Sequence, residues 1–149
     1  MKCVAGDEKQ EISARAAAFE QIRKAHQSEL AEDYVELIAD LIETQGEARV
    51  VDLAGRLGVS QPTVTKVVRR LQREGLVETK PYRALFLTDA GRTLAEQARQ
   101  RHRIVLGFLV AIGVPAETAE RDAEGIEHHV SDETLGAFAR ITAERGKAS

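Results

Sequence analysis

The sequence predicts a mainly α-helical protein, with an N-terminal winged helix-turn-helix domain followed by a C-terminal helical domain. Three observations carry that prediction. Apolar residues recur at three- and four-residue steps on both sides of the chain's centre, two short helical patterns meet at a glycine turn near residue 58, and two short apolar runs follow, separated by Lys80-Pro81-Tyr82-Arg83. The 149 residues are 43% hydrophobic and 30% charged, enough for a core and without the Gly-, Pro- or Ser-rich tracts of a disordered chain.

Residues 1–10 read as a polar tail. From Glu11 to Thr44 the spacing of Phe19, Ile22, Leu30, Tyr34, Leu37, Ile38 and Leu41 predicts one long amphipathic helix or two consecutive ones, ended by Gly46. A short helix follows over Ala48–Leu57, with Val51, Leu53, Ala54 and Leu57 inward. Ser60 is a suitable N-cap, and Pro62 is tolerated in a first turn whose N–H groups lack intrahelical partners. The helix it opens runs to Arg73, with Val64, Val67, Val68 and Leu71 inward, and stops at Gly75. Leu76–Thr79 and Ala84–Leu87 then predict a β-hairpin, which completes a winged helix.

Thr88 or Asp89 caps a helix reaching Ile112. Its second half, Ile104 to Val110, is apolar on nearly every face, a stripe wide enough to predict a homodimer interface through Leu106, Phe108 and Leu109. Gly113-Val114-Pro115 breaks the chain, a helix is expected from Ala116 to His129, and Ser131 caps a last one to Gly146. The expected organisation is a partly helical extension over 1–30, a winged helix-turn-helix DNA-binding domain over 31–90 and a helical metal-binding and dimerisation domain over 91–149.

The net charge of −3 conceals an asymmetry. Residues 1–48 hold five Lys/Arg against eleven Asp/Glu (net −6), residues 49–83 eight against three (+5), and residues 84–149 eight against ten (−2). The basic island coincides with the helix-turn-helix and would attract an anionic polymer. On the 60–73 helix, Ser60, Gln61, Thr63 and Thr65 offer short hydrogen-bonding groups near the N-terminus, while Lys66, Arg69 and Arg70 add cations; Lys80 and Arg83 do so at the wing. That division suits double-stranded DNA, with polar residues toward base edges and cations toward phosphates.

The acidic flanks suit cations. On a helix Glu124, Glu127 and His128 share a face, Asp33 and Glu36 repeat an i, i+3 acidic pair, and His102 stands just ahead of the apolar stretch. Four carboxylates and two imidazoles without a thiol suit Mn²⁺, with Fe²⁺ second, and could hold one octahedral ion or two bridged ions. His129 points a quarter-turn from His128, and His26 has only Glu29 at ligand spacing, so neither is counted as a ligand.

These motifs together mark a family. Glu32-Asp33-Tyr34-Val35-Glu36, Val59-Ser60-Gln61-Pro62-Thr63-Val64-Thr65-Lys66, Arg101-His102 and Asp122-Ala123-Glu124-Gly125-Ile126-Glu127-His128-His129 resemble the manganese branch of the diphtheria-toxin-repressor family of metal-dependent winged-helix repressors. The resemblance implies that Asp33, Glu36, His102, Glu124, Glu127 and His128 are metal ligands, with Glu124 and Glu127 shared between two Mn²⁺ ions per subunit. It also implies a homodimer on operator DNA, controlling metal-uptake genes. Iron-responsive relatives carry Met at the position of Asp33 and Cys at that of Glu124, so the two carboxylates here favour manganese.

Other functions fare worse. The single Cys excludes a disulfide framework or a Cys-type zinc finger, and no apolar run approaches the ~18–20 residues of a membrane span. With no secretory signal visible, a cytoplasmic protein is expected. A regulator answering iron or a small organic ligand is the principal alternative. A carboxylate-bridged enzyme is disfavoured, since catalytic metal sites keep an open position and a substrate pocket.

Overall fold

The first element is a single 42-residue helix, α1 (Val4–Gln45). The computed structural model describes residues 4–80 and 84–147, with side chains from Gly6 onward. The helix starts well ahead of the expected Glu11: Glu8, Lys9, Gln10 and Glu11 are good helix formers, and a solvated helix end needs no apolar face. Ala31, Tyr34, Val35, Ile38 and Leu41 are buried, whereas Phe19 and Ile22 on the predicted stripe remain exposed.

Gly46, at φ 83°, turns the chain. Ala48–Arg49 then form a strand, β1, instead of opening the next helix, a pairing too short to leave a periodic trace in the sequence. Helix α2 (Val50–Leu57) buries Leu53 and Ala54 but leaves Val51 exposed, contrary to expectation. Gly58 supplies the left-handed turn at φ 67°, and Ser60 Oγ accepts the Thr63 N–H at 3.3 Å to cap α3 (Gln61–Arg73). Strands β2 (Val77–Thr79) and β3 (Ala84–Leu87) form the expected antiparallel wing, in a sheet ordered β1-β3-β2. Register pairs Val77 with Leu87, and Ala48 with Leu85.

Thr88 Oγ1 accepts the Gly91 N–H at 3.1 Å and opens α4 (Asp89–Ala111). A Cβ on Gly91 would stand 2.1 Å from the Leu76 carbonyl oxygen, so only glycine lets this helix start against the wing. Helix α4 joins two cores. Ala95 packs into the first with α1, α2, α3 and the sheet; Val105 and Leu109 lie in the second with Ala119 of α5 (Ala116–Ile126) and Leu135 of α6 (Asp132–Lys147).

Helix α5 stops three residues short of the expected His129. Arg101 Nε donates to the Glu127 carbonyl at 3.0 Å and its Nη2 to that of Val130 at 3.1 Å. A side chain of α4 thereby takes the Glu127 carbonyl that a continuing helix would have bonded internally, and residues 127–129 form a turn.

Candidate metal centre and nucleic-acid interface

Three segments meet between the two cores: α1 near Asp33, α4 near His102, and the turn after α5. Arg99 of α4 pairs with Asp40 and, at 3.2 Å, with Glu43, both on α1. Arg101 fixes the turn as described. These anchors add to the packing of Ala95 against α1, and charged groups remote in sequence converge.

His102 Nδ1 lies 2.8 Å from Glu127 Oε2 and 3.6 Å from Glu124 Oε1, while its Nε2 lies 3.0 Å from Glu120 Oε2. His128 Nε2 stands 3.3 Å from both Asp33 Oδ1 and Glu127 Oε1, and its Nδ1 is 2.6 Å from Glu32 Oε2. Two groups therefore emerge, His102/Glu124/Glu127 and Glu29/Asp33/His128, each with ligand atoms within 4.8 Å of one another. The contact between Glu127 and His128 joins them. Glu36 belongs to neither, but faces the same charges: its pKa is raised by burial first, then by Glu124, Asp40 and Asp33 against His102.

Burial sets the electrostatics. Glu127 is 2% exposed, and burial, reinforced by Glu124 and opposed by His102 and His128, lifts its carboxyl to about 7. Burial pulls His128 down, but Asp33 and Glu32 outweigh it and raise the imidazole to about 10. His102 is raised too, because Glu127, Glu120 and Glu124 overcome its own desolvation. The cluster thus retains protons that solvent would remove; it is short of positive charge, and every buried side-chain polar atom among the described residues has a partner. Carboxylates and imidazoles in this state fit a divalent cation, which would take the place of protons.

The six residues proposed from sequence all reach this junction. The route differs, because Glu127 and His128 sit on the turn beyond α5 rather than on its face. In the sequence Glu32 and Arg101 stood within motifs but were given no role, Glu29 was noted only at ligand spacing from His26, and Glu120 was not singled out. Glu29 stands three and four residues ahead of Glu32 and Asp33, and Glu36 four and three residues beyond them, so the α1 pair could have been extended by spacing alone. Glu120 and Arg101 carried no such signal, since their roles depend on how α4 and α5 cross. Glu32 corresponds to the carboxylate that commonly orients a ligating histidine through its other ring nitrogen.

On the opposite side of the first core, α3 presents Gln61, Thr65, Lys66, Arg69 and Arg73 along one open face. Thr79 and Lys80 of the wing border the same surface beside Arg69; Lys80 Nζ lies 4.6 Å from the centre of the Phe86 ring. Ser60 and Thr63 are at the helix start, their hydroxyls 2.9 Å apart. Arg70 stands elsewhere: its Nε donates to Glu74 at 2.9 Å and its Nη2 to the Gln27 carbonyl of α1 at 3.3 Å. Arg83 lies outside the described residues.

Of the residues expected at a dimer surface, Leu109 is buried inside its own protomer, and Leu106 and Phe108 are half-buried. Phe108 stacks on Phe138 of α6 with ring centres 3.9 Å apart. Val110, Ile112 and Ile141 are the large apolar residues exposed in this region among the described residues.

Comparison with known proteins bears on both surfaces. The model for the iron dependent repressor N-terminal DNA binding domain matches residues 26–85, and that for the iron dependent repressor metal binding and dimerisation domain matches residues 88–144. The transcriptional regulator MntR of Escherichia coli O6:H1 is 55% identical over 135 residues, covering 91% of this chain and 87% of the relative. That of Salmonella typhimurium is 52% identical over 138 residues, covering 93% and 88%. A solved manganese-dependent transcriptional repressor in complex with manganese is 37% identical with a TM-score of 0.66, over 78% of this chain and 52% of the other. The chain spans about half the length of that solved structure. No helix among the described residues is long and apolar enough to cross a membrane.

Proposed function

The chain belongs to the iron-dependent repressor family, and on that premise we propose that it is a manganese-responsive, DNA-binding transcriptional repressor of metal-uptake genes rather than an enzyme. It acts as a homodimer on double-stranded operator DNA in the cytoplasm. The observation that carries this reading is the convergence of donors from α1, α4, α5 and the α5–α6 turn on one junction, at which Glu127 and His128 are buried.

Asp33, Glu36, His102, Glu124, Glu127 and His128 would hold Mn²⁺, two ions per subunit, a number supported by the two adjoining donor groups. The oxygen-rich set, with no thiol or thioether, suits manganese better than softer ions. A divalent cation held by these residues would supply the positive charge that protons otherwise provide. Glu32 and Glu120 orient His128 and His102, and Arg101 holds the turn in place.

Asp33 and Glu36 belong to the helix that packs into the first core, and the other four ligands belong to the second. Drawing them together fixes where α3 stands relative to the dimer surface of Leu106, Phe108, Val110 and Ile112. Two recognition helices must meet half-sites about one helical turn, ~34 Å, apart, so only some arrangements bind. The metal-bound population is enriched in those arrangements, by no more than the differential affinity of the donors allows. Gln61, Thr63 and Thr65 approach base edges; Lys66, Arg69, Lys80 and Arg83 take phosphates, with Ser60 holding the start of α3. Arg70, engaged by Glu74 and α1, braces α3 against α1.

A gel shift with promoter DNA from a manganese-uptake gene, run with Mn²⁺, Fe²⁺, Zn²⁺ and chelator, tests the proposal. Retarded complex is expected with Mn²⁺ and not with chelator. Equal retardation in all four lanes would reject metal control.

A further inference from the structure

We propose that the rim of this junction carries a further cation site formed by His26, Glu29 and His129, adjoining the Asp33/His128 group through Glu29 and suited to a nitrogen-preferring divalent ion of the Zn²⁺ class. His26 and Glu29 lie three residues apart on α1, and His129 comes from the turn after α5. Glu29 Oε2 is 3.5 Å from His26 Nδ1 and also 3.5 Å from His129 Nε2. The two rings meet edge to face, with centres 5.7 Å apart and planes at 76°. One ligand atom from each residue lies within 4.8 Å of the others.

The spacing discriminates between two explanations. An N–H···O hydrogen bond spans about 2.7–3.2 Å, so 3.5 Å is too long for a closed His–Glu–His hydrogen-bonded chain. Two ligands bound about 2.1 Å from a tetrahedral ion are separated by about 3.4 Å. Both edges that meet at Glu29 therefore already have the length that coordination requires. The central junction shows the same open spacing at His128–Asp33, His128–Glu127 and His102–Glu124, 3.3, 3.3 and 3.6 Å, beside His102–Glu127 and His128–Glu32 contacts closed to 2.8 and 2.6 Å.

Chemistry separates the sites. The central set has four carboxylates to two imidazoles; the rim set has two imidazoles to one carboxylate, which moves preference from Mn²⁺ toward Zn²⁺. Side-chain exposures of 65% for His26 and 42% for His129 leave room for water to complete the coordination. Glu29 also borders Asp33 and His128. An ion at the rim would tie the turn carrying Glu127 and His128 to α1 about one helical turn ahead of Asp33, giving the N-terminal part of α1 a role in holding the centre.

The test counts metal on the full chain. Equilibrium dialysis against Zn²⁺ is expected to show one fewer ion per chain in His26→Ala and in His129→Ala than in the wild type. Co²⁺ as a probe should give intense visible absorption of a tetrahedral N/O site in the wild type that both variants lose. His26 is exposed, so unchanged helical circular dichroism and unchanged Mn²⁺ stoichiometry are expected in His26→Ala. Equal Zn²⁺ counts and Co²⁺ spectra in the wild type and both variants would reduce the cluster to a solvated ion pair and overturn the proposal. Loss of a Mn²⁺ equivalent in His26→Ala would do so too, by assigning His26 to the central set.

Discussion

The two cores close to different degrees. In the first, Val35, Ile38, Leu53, Val64, Leu71 and Leu85 are almost fully enclosed by α1, α2, α3 and the sheet. The second encloses Val105, Ala119 and Ala123, but Ile104, Leu106, Phe108 and Phe138 stay half-buried and Val110, Ile112 and Ile141 face outward at 46, 44 and 39% exposure. Three helices that enclose only Val105, Leu109, Leu135 and two alanines leave an apolar face uncovered, a face that suits a second copy of the same surface. The closed core lies largely within the match to the DNA binding domain, and the open one within the match to the metal binding and dimerisation domain. The donors sit where they meet.

The largest effect is expected in the closed core. Ile38→Ala should lower unfolding free energy by about 2–5 kcal/mol, measured by urea denaturation, because its neighbours cannot collapse onto the cavity. Val105→Ala in the open core loses fewer carbons and should cost about 2 kcal/mol. A larger loss at Val105 than at Ile38 would reverse the comparison.

At the joint, Glu32→Ala should weaken Mn²⁺ binding about 10–100-fold in a calorimetric titration while the chain stays folded, since it removes the group that orients His128. On the open face, Val110→Glu should convert the dimer to a 16.3 kDa monomer in sedimentation, with helical content unchanged. A dimer that survives this change would place the interface elsewhere.

Proton linkage sharpens the joint further. Glu127 at about 7 and His128 at about 10 are both raised, so the folded metal-free chain holds these protons more tightly than the unfolded chain. Their stabilising contribution is complete below the ordinary values near 4.5 and 6.5, and is lost as pH rises through about 7 and then about 10. Thermal midpoints of the metal-free protein should therefore fall as pH rises through that window, and the stabilisation given by saturating Mn²⁺ should grow. A gain independent of pH would contradict proton displacement. The smallest effect belongs to the DNA face: Lys66→Ala should reduce the salt slope of operator binding by about one, leaving sequence preference intact.

Much of this was legible in the sequence, and the exceptions share a cause. Periodicity marked α1, α3 and α4, and Ser60 and Thr88 marked helix starts, because each signal is local. It could not show that Phe19 and Ile22 stay exposed while Tyr34 and Ile38 are buried, since one stripe runs through all four and only the packing partner differs. The two-residue β1 exists through its pairing with Leu85 and Ala84. The end of α5 is set by Arg101, and Arg70 is turned toward Gln27, both through contacts between distant segments. The six residues that meet at the junction were readable because spacing and donor type restrict them; the contacts of Glu120 and Arg101 depend on how α4 crosses the turn.

Asp33 on α1 is expected to share a cation with ligands from the other core. Calorimetric titration of the full chain with Mn²⁺ tests it, wild type beside Asp33→Ala, a half-exposed position where the fold should persist. Saturable binding of two ions is expected in the wild type, with affinity falling by at least about 100-fold in the variant. Equal stoichiometry and affinity in the two proteins would contradict the account.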